Sequence, residues 1–205
     1  MLFLLDKNDE YDTAAEELKL PPDDIGQLIT PLTGYSNKGR SRFAIDNGAF
    51  SKFSPARFTA ILDREKPNKD RCLFVVAPDI VGSARRTLEV FDFWYPKLAG
   101  WPLALACQDG QEDLPIPWDL IAAIFIGGSD RFKLSDGAKS IVKASHALGK
   151  WSHMGRVNSV ARVETAYEWG IDSIDGSGIS RYTHMREAIA AYRCSQKLDF
   201  SEDSL

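Results

Sequence analysis

Residues 171–181 read IDSIDGSGISR, and the alternation within them decides how the rest of the chain is read. Successive side chains of a strand point to opposite faces, so Ser173 shares a side with Asp175 while Ile174 takes the other. The strand ends on a carboxylate followed by Gly176, Ser177 and Gly178. A carboxylate beside two glycines stands where backbone and substrate can approach closely, which makes Asp175 a candidate nucleophile. The plain alternative is a turn aspartate bonded to its own backbone.

The same pattern recurs earlier in the chain. In FAID (43–46) Ala44 shares its side with Asp46; in LALACQ (103–108) Ala104 and Ala106 share theirs with Gln108; in the 73–79 strand Ala77 is assigned to the side of Asp79. Four strands thus place a small residue two positions before a polar one at the C-terminal end. Large apolar groups fill the opposite register of three of them, where a helix can cover them. The 73–79 strand is apolar on both faces. Polar residues also mark where strands simply stop, and that reading competes at every single position.

Between these strands the chain carries helix signals. Ser54 and Pro55 open one helix, with Phe58, Ile61 and Leu62 as its buried stripe. Ser83 to Tyr95 forms the next, Asp136 caps one that ends at Gly149, and Asn158 or Ser159 begins another that ends at Gly170. Thr183 caps the last, with Met185, Ala188, Ile189 and Tyr192 on one face, before the polar tail SEDSL. LFLL (2–5), AIFIGG (123–128) and KWSHMG (150–155) read as further strands, and 14–18 as a short helix. Residues 21–42 read as a long irregular loop whose end, with Lys38, Arg40 and Arg42, is basic. Regular alternation of strand and helix predicts an α/β fold, a compact (β/α)8 TIM-type barrel with a reduced or irregular first βα unit. No G-x-G-x-x-G follows a first strand, which argues against an open nucleotide-binding sheet. In a parallel barrel the strand ends bring Asp46, Asp79, Gln108 and Asp175 to one rim, the end where such barrels carry their sites. Three carboxylates at one mouth repel unless a substrate donor sits among them or one holds a proton.

The totals bound the function. The 205 residues suit one domain, spanning 1–205, and the apolar fraction of 44% with 26% charged residues is that of an ordinary globular protein. A net charge of -4 argues against coating nucleic acid by bulk electrostatics and confines any such contact to one face. MLFLL is too short for a signal core and runs into an acidic segment, so the expectation is a cytoplasmic protein with no membrane span. Cys72, Cys107 and Cys194 are scattered, and His146, His153 and His184 have no metal-ligand spacing, so neither a disulfide framework nor a metal site is expected. Alternation turns His153 away from Met154, a structural place rather than a functional one.

AIDNGAF, APDIVGS, CQDG, FIGG, MGRV and GIDSIDGSGISR, in this order over residues 43–182, resemble the tRNA-guanine transglycosylase superfamily, within it the shorter enzymes that place 7-deazaguanines in phage and bacterial DNA. The resemblance implies that Asp175 attacks the anomeric carbon of a guanosine unit and that Asp46 is the second catalytic carboxylate, a general acid/base. It implies that Asp79 and Gln108 read the base edge with help from Gly127 and Gly128, while Phe50 and Met154 sandwich the ring. Arg85, Arg86, Arg131, Lys133, Arg156 and Arg181 all follow strand ends and would meet phosphates. No cofactor is implied. The zinc subdomain of the tRNA enzymes, a C-x-C-x-x-C plus His set, has no counterpart here, and Asn47 and Ala49 stand where the family commonly has Ser and Gly.

The missing zinc region and the small size favour DNA over tRNA as the polymer, with a 7-deazaguanine such as preQ0 as the second substrate. A tRNA enzyme of the same chemistry is the alternative. A hydrolase of small nucleosides or glycosides is a third reading and predicts turnover without polymer or acceptor base. A non-catalytic binding subunit is disfavoured by the presence of both Asp46 and Asp175.

Overall fold

A computed structural model describes residues 1–6, 11–33 and 42–202, the last seven of these by backbone alone. Lys38 and Arg40 lie outside the described residues, as do 203–205 of the tail. Eight parallel strands close into a barrel in chain order: β1 Leu2–Leu5, β2 Ile25–Ile29, β3 Phe43–Ile45, β4 Cys72–Val76, β5 Leu103–Cys107, β6 Ala123–Ile126, β7 Trp151–Met154 and β8 Ser173–Asp175. The seam is closed by β1 on β8, with Leu2 opposite Ser173 and Leu4 opposite Asp175.

The helices are α1 Tyr11–Leu18, α2 Pro55–Glu65, α3 Ala84–Trp94, α4 Asp130–Lys133, α5 Asp136–Ala147, α6 Val160–Glu168, α7 Ser177–Arg181 and α8 Thr183–Glu202. The barrel expectation holds, and the place of its irregularity is corrected. The first βα unit is complete, because Ile25–Ile29, read from sequence as part of a loop, is β2. Gly26 and Gln27 dilute its apolar signal. Gly26 has a packing reason, since a Cβ there would stand 2.7 Å from Leu4 Cδ2 and 2.8 Å from the Arg42 carbonyl. Among the described residues no helix joins β2 to β3, and only short 3-10 turns join β5 to β6.

Strand alternation sorts the apolar residues into two layers. Phe3, Phe43, Ile45, Leu105, Ile124 and Ile174 point outward into the layer beneath the helices, joined there by Phe58 and Phe91. Each such large side chain, fully removed from water, contributes roughly 2–3 kcal/mol. The interior holds Leu4, Leu28, Ala44, Phe74, Val76, Ala104 and Ala106, a mixture of large and small that fills a narrow barrel.

Helix starts follow the caps with two shifts, Asp136 and Thr183 each being the first helical residue and not the cap. Ser135, one residue before the predicted Asp136, accepts the Ala138 amide at 3.1 Å, and Ser159 accepts that of Arg162 at 3.3 Å. In α8 the buried face is rotated from the expected one: Ala188 is exposed, while Arg186, Ile189 and Ala190 are buried. Arg186 is buried because it serves as a clasp. Its guanidinium pairs with Glu17 of α1 and donates to the carbonyls of Ile179 at 2.9 Å and Ser180 at 3.3 Å, tying the last helix to the first. No helix among the described residues is long and apolar enough to cross a membrane.

Candidate active site

At the C-terminal ends of the strands two cavities meet. The narrow one, about 70 Å³, is lined by Asp46, Asn47, Asp79, Gln108, Gly127, Gly128 and Lys133 together with Phe50, Val76, Val81, Ala106, Phe125, Arg156 and Asp175. The broad one, a cleft of about 930 Å³, shares Asp46, Phe50, Arg156 and Asp175 with it and continues past Lys52, Ser54, Arg57, Asn158, Ser177 and Arg181. The two carboxylates that the sequence singled out therefore stand on the wall common to both.

The register argument accounts for three of the four convergent residues. Ala44, Ala104 and Ala106 face the interior, and Ser173 joins the hydrogen-bonded network within it. Asp46, Gln108 and Asp175 follow them upward on the same side. It fails for β4, where Ala77 belongs to the outer layer. That strand ends at Val76, and Asp79 reaches the mouth through the turn beyond it.

Asp79 is held by two amides. Asn47 Nδ2 donates to its Oδ1 at 2.8 Å and Gln108 Nε2 to its Oδ2 at 2.7 Å, while Gln108 Oε1 accepts the Gly82 amide at 2.9 Å. Asn47, fully buried, also donates to the Ala77 carbonyl at 2.8 Å and accepts from Ala49 N–H at 2.6 Å. Burial raises the Asp79 carboxyl and the two amide donors oppose that rise. Each carboxylate oxygen keeps a second lone pair, so the pair Asp79–Gln108 can still take a donor from a ligand. Gly127 is needed here, since a Cβ would lie 2.8 Å from Gln108 Nε2. Gly128 adopts φ +73, a conformation that side chains rarely accept.

Asp46 accepts the Gly48 amide at 3.3 Å on Oδ1. Burial and then the charge of Asp175 push its carboxyl up to about 7; the Gly48 amide pulls it down and Asp79 adds a smaller push. A carboxyl that exchanges its proton near neutrality is suited to general acid/base work.

Asp175 takes one donor on each oxygen: the Arg156 amide at 3.1 Å on Oδ1 and His153 Nε2 at 2.9 Å on Oδ2. Arg156 turns its N–H inward by adopting φ 58, the left-handed region, at a cost of about 1–2 kcal/mol for a residue with a Cβ. Gly155 and Gly176 let the chain pass close by. A Cβ on Gly155 would meet Phe125 Cε1 at 2.7 Å and Asp175 Oδ2 at 3.3 Å, and one on Gly176 would meet Asn158 Oδ1 at 2.9 Å.

Several assigned residues lie elsewhere than expected. Met154 is buried in the outer layer and lines neither cavity, because alternation along β7 turns His153 inward in its place. The proposed ring sandwich therefore loses that partner. Phe50 stands at the mouth, 65% exposed, with the Arg156 guanidinium 4.0 Å above its ring. Lys133 is not a rim cation. It is 2% exposed, donates from Nζ to the Gly155 carbonyl at 2.8 Å, and is lowered to about 8 by burial and Arg156 against the opposing charge of Asp175. Arg181 borders the cleft and pairs with Asp6 at 3.3 Å. Arg85, Arg86 and Arg131 are exposed and line neither cavity.

Sequence reasoning missed four residues. Asn47 stands in the sequence reading only as a departure from the family pattern; the turn of the chain after β3 is what brings it to Asp79. His153 carried the same inward register as Ser173 and could have been found by it. Lys52 and Arg57 flank the Ser54–Pro55 helix start, and with Arg156 and Arg181 they bring four cations to a cleft that also holds Asp6, Asp46 and Asp175. Among the described residues no cluster of His, Cys, Asp or Glu could hold a metal ion. Desolvation drives the half-buried Cys72 thiol up to about 12 and raises the buried Cys107 thiol, while Cys194 is exposed.

No protein-family model matches the chain, and no curated protein does. Among solved structures the chain is similar to phosphoribosyl anthranilate isomerase from Thermus thermophilus, with a TM-score of 0.50 and 12% identity over 96% of this chain and 100% of that one. A cube-shaped, highly porous protein cage designed by fusing symmetric oligomeric domains aligns with a TM-score of 0.37 and 14% identity over 98% of this chain and 74% of that one. At such identity the first likeness concerns the barrel fold alone.

Proposed function

We propose that the protein exchanges guanine in DNA for a free 7-deazaguanine such as preQ0, through a covalent aspartyl-glycosyl intermediate. The observation that carries this reading is the position of Asp46 and Asp175 on the wall shared by a narrow polar cavity and a broad cleft. A purine held in the narrow cavity against Asp79, Gln108, Gly127 and Gly128, with its sugar-phosphate in the cleft, brings its glycosidic bond between the two carboxylates.

The chemistry then balances. An Asp175 oxygen attacks the anomeric carbon as the bond to the base breaks, and the electron pair leaves with the base, which takes a proton from Asp46. The incoming deazapurine returns a proton to Asp46 as its ring nitrogen attacks the same carbon, and Asp175 is released as a carboxylate. Guanine N1–H and N2–H are donors that the Asp79 carboxylate can accept. Lys52, Arg57, Arg156 and Arg181 supply the positive charge that a phosphate backbone needs. A base in a duplex has to leave the stack to enter such a cavity, so a single strand or a flipped nucleotide is the form bound.

The test is incorporation of labelled preQ0 into polymer. Label should enter DNA and not appear in tRNA, and Asp175→Ala should form no covalent protein–DNA adduct. Label entering tRNA alone overturns the choice of polymer. Release of base with no acceptor present turns the reading into hydrolysis.

A further inference from the structure

We infer that His153 is a positioning residue for Asp175, held in one tautomer by a buried hydrogen-bond chain that runs up the inside of the barrel. The inference rests on the reading of Asp175 as nucleophile. Its geometry comes from β7 and β8, which lie side by side and present Trp151, His153, Ser173 and Asp175 to the interior.

The tautomer follows from counting hydrogens. Trp151 Nε1, which can only donate, gives its hydrogen to Ser173 Oγ at 2.8 Å. Ser173 is fully buried, and its own hydroxyl hydrogen then serves His153 Nδ1 at 2.8 Å. With Nδ1 accepting, the ring hydrogen stands on Nε2, 2.9 Å from Asp175 Oδ2. The imidazole cannot rotate to another partner, because it is fully buried and flanked by Phe74, at 5.2 Å between ring centres, and Phe125, at 4.8 Å.

Such a donor has work at both ends of the reaction. Together with the Arg156 amide it fixes the plane of the Asp175 carboxylate before attack. When the glycosyl ester breaks, the electron pair of the carbon–oxygen bond returns to that carboxylate, and the Nε2 hydrogen is already in place to meet it. His153 keeps its proton throughout and touches no substrate.

The experiment has two arms. In the first, long-range proton–nitrogen correlation on protein labelled at its three histidines, assigned with His146 and His184 variants, reads the tautomer directly. We expect a ring with hydrogen on Nε2 and an accepting Nδ1, whose Nε2 proton moves upfield in Asp175→Ala. A hydrogen on Nδ1, or an Nε2 signal that ignores the loss of Asp175, overturns the proposal. In the second arm His153→Phe, which fills the space without a donor, lowers kcat about 100-fold with KM held within about twofold, as loss of positioning does. His153→Gln, which restores an Nε2 donor, recovers about tenfold of that loss. Equal activity of His153→Phe and the unaltered protein, or no recovery by His153→Gln, overturns it too. If the unaltered protein exchanges no base at all, that result falls on the reaction assigned to Asp175, and the tautomer arm still judges His153 by itself.

Discussion

Two clusters of the same three residue types lie along β7 and β8, one toward the mouth of the barrel and one where the strands begin, the second drawing its histidine from α5. The upper one is His153, Ser173 and Asp175; the lower is His146, Ser152 and Asp172. In the lower cluster a single oxygen, Asp172 Oδ2, accepts the Ser152 amide at 2.8 Å, the Ser152 hydroxyl at 2.8 Å and His146 Nε2 at 3.3 Å. Three donors converge on that one oxygen, and the cluster pins the two strands and α5 together. Asp175 has one donor on each oxygen and stands beside a second carboxylate, on the wall of two cavities. Identity of residue type does not separate a site from a brace. What separates them is whether the carboxylate opens onto a cavity and whether like charges are left facing each other.

The largest expected difference between the clusters is in turnover. Asp175→Ala should lower base exchange by at least about 10⁴-fold and remove the adduct, read by gel shift under denaturing conditions, whereas Asp172→Ala should leave the rate within about threefold. A comparable loss from Asp172→Ala would erase the distinction.

Asp46→Asn comes next, with a loss of about 100-fold and disappearance of a decline in kcat/KM above about pH 7, measured as a pH–rate profile. The same substitution sharpens the charge argument through stability. The Asp46 carboxyl is raised from 3.8 to about 7 in the folded protein, so its contribution is fully present below pH 4 and is lost as pH rises through 7. Asn keeps the acceptor for Gly48 and carries no charge. It should raise stability at pH 8 by about 2 kcal/mol once solvent at the open mouth is allowed for, and change it little at pH 4. Equal gains in urea melts at both pH values would mean that burial and the neighbouring charge of Asp175 do not raise Asp46.

For the lower cluster the effect moves from rate to stability: Asp172→Ala should cost about 2–3 kcal/mol, seen as a drop in the denaturation midpoint at constant slope. Smallest are the rim charges. Arg57→Gln should flatten the salt dependence of DNA binding by about one in the log–log slope, and Arg85→Gln, outside the cleft, should leave it unchanged. An equal effect of the two would spread the polymer over the whole end of the barrel.

Periodicity was enough to read the barrel and the inward register of β3, β5 and β8, because a small interior residue followed by a polar one is visible without knowing the partner strand. It missed β2, whose IGQLI carries a glycine and a glutamine and sits between two proline-bearing turns. It placed Asp79 by an alternation that ends at Val76, and the place against the ring that the family resemblance implied for Met154 is denied by the register of β7, which turns His153 inward instead. Turns after strand ends carry Asn47 and Asp79, and no period of two extends through a turn. Hydrogen-bond partners are likewise a property of the assembled strands: nothing in KWSHMG or IDSID taken singly says that a tryptophan, a serine, a histidine and an aspartate will stack into one chain.

Because β8 finds its second neighbour in β1, the carboxylate of Asp175 is framed by a strand made about 170 residues before it. The first strands have to wait with an unpaired edge until residue 175 has been made, and the Arg186 clasp onto Glu17 is completed only eleven residues later. Assembly of the mouth thus has to wait for β8, and a chain cut short before that strand would hold Asp46, Asp79 and Gln108 and have no closed ring to support them.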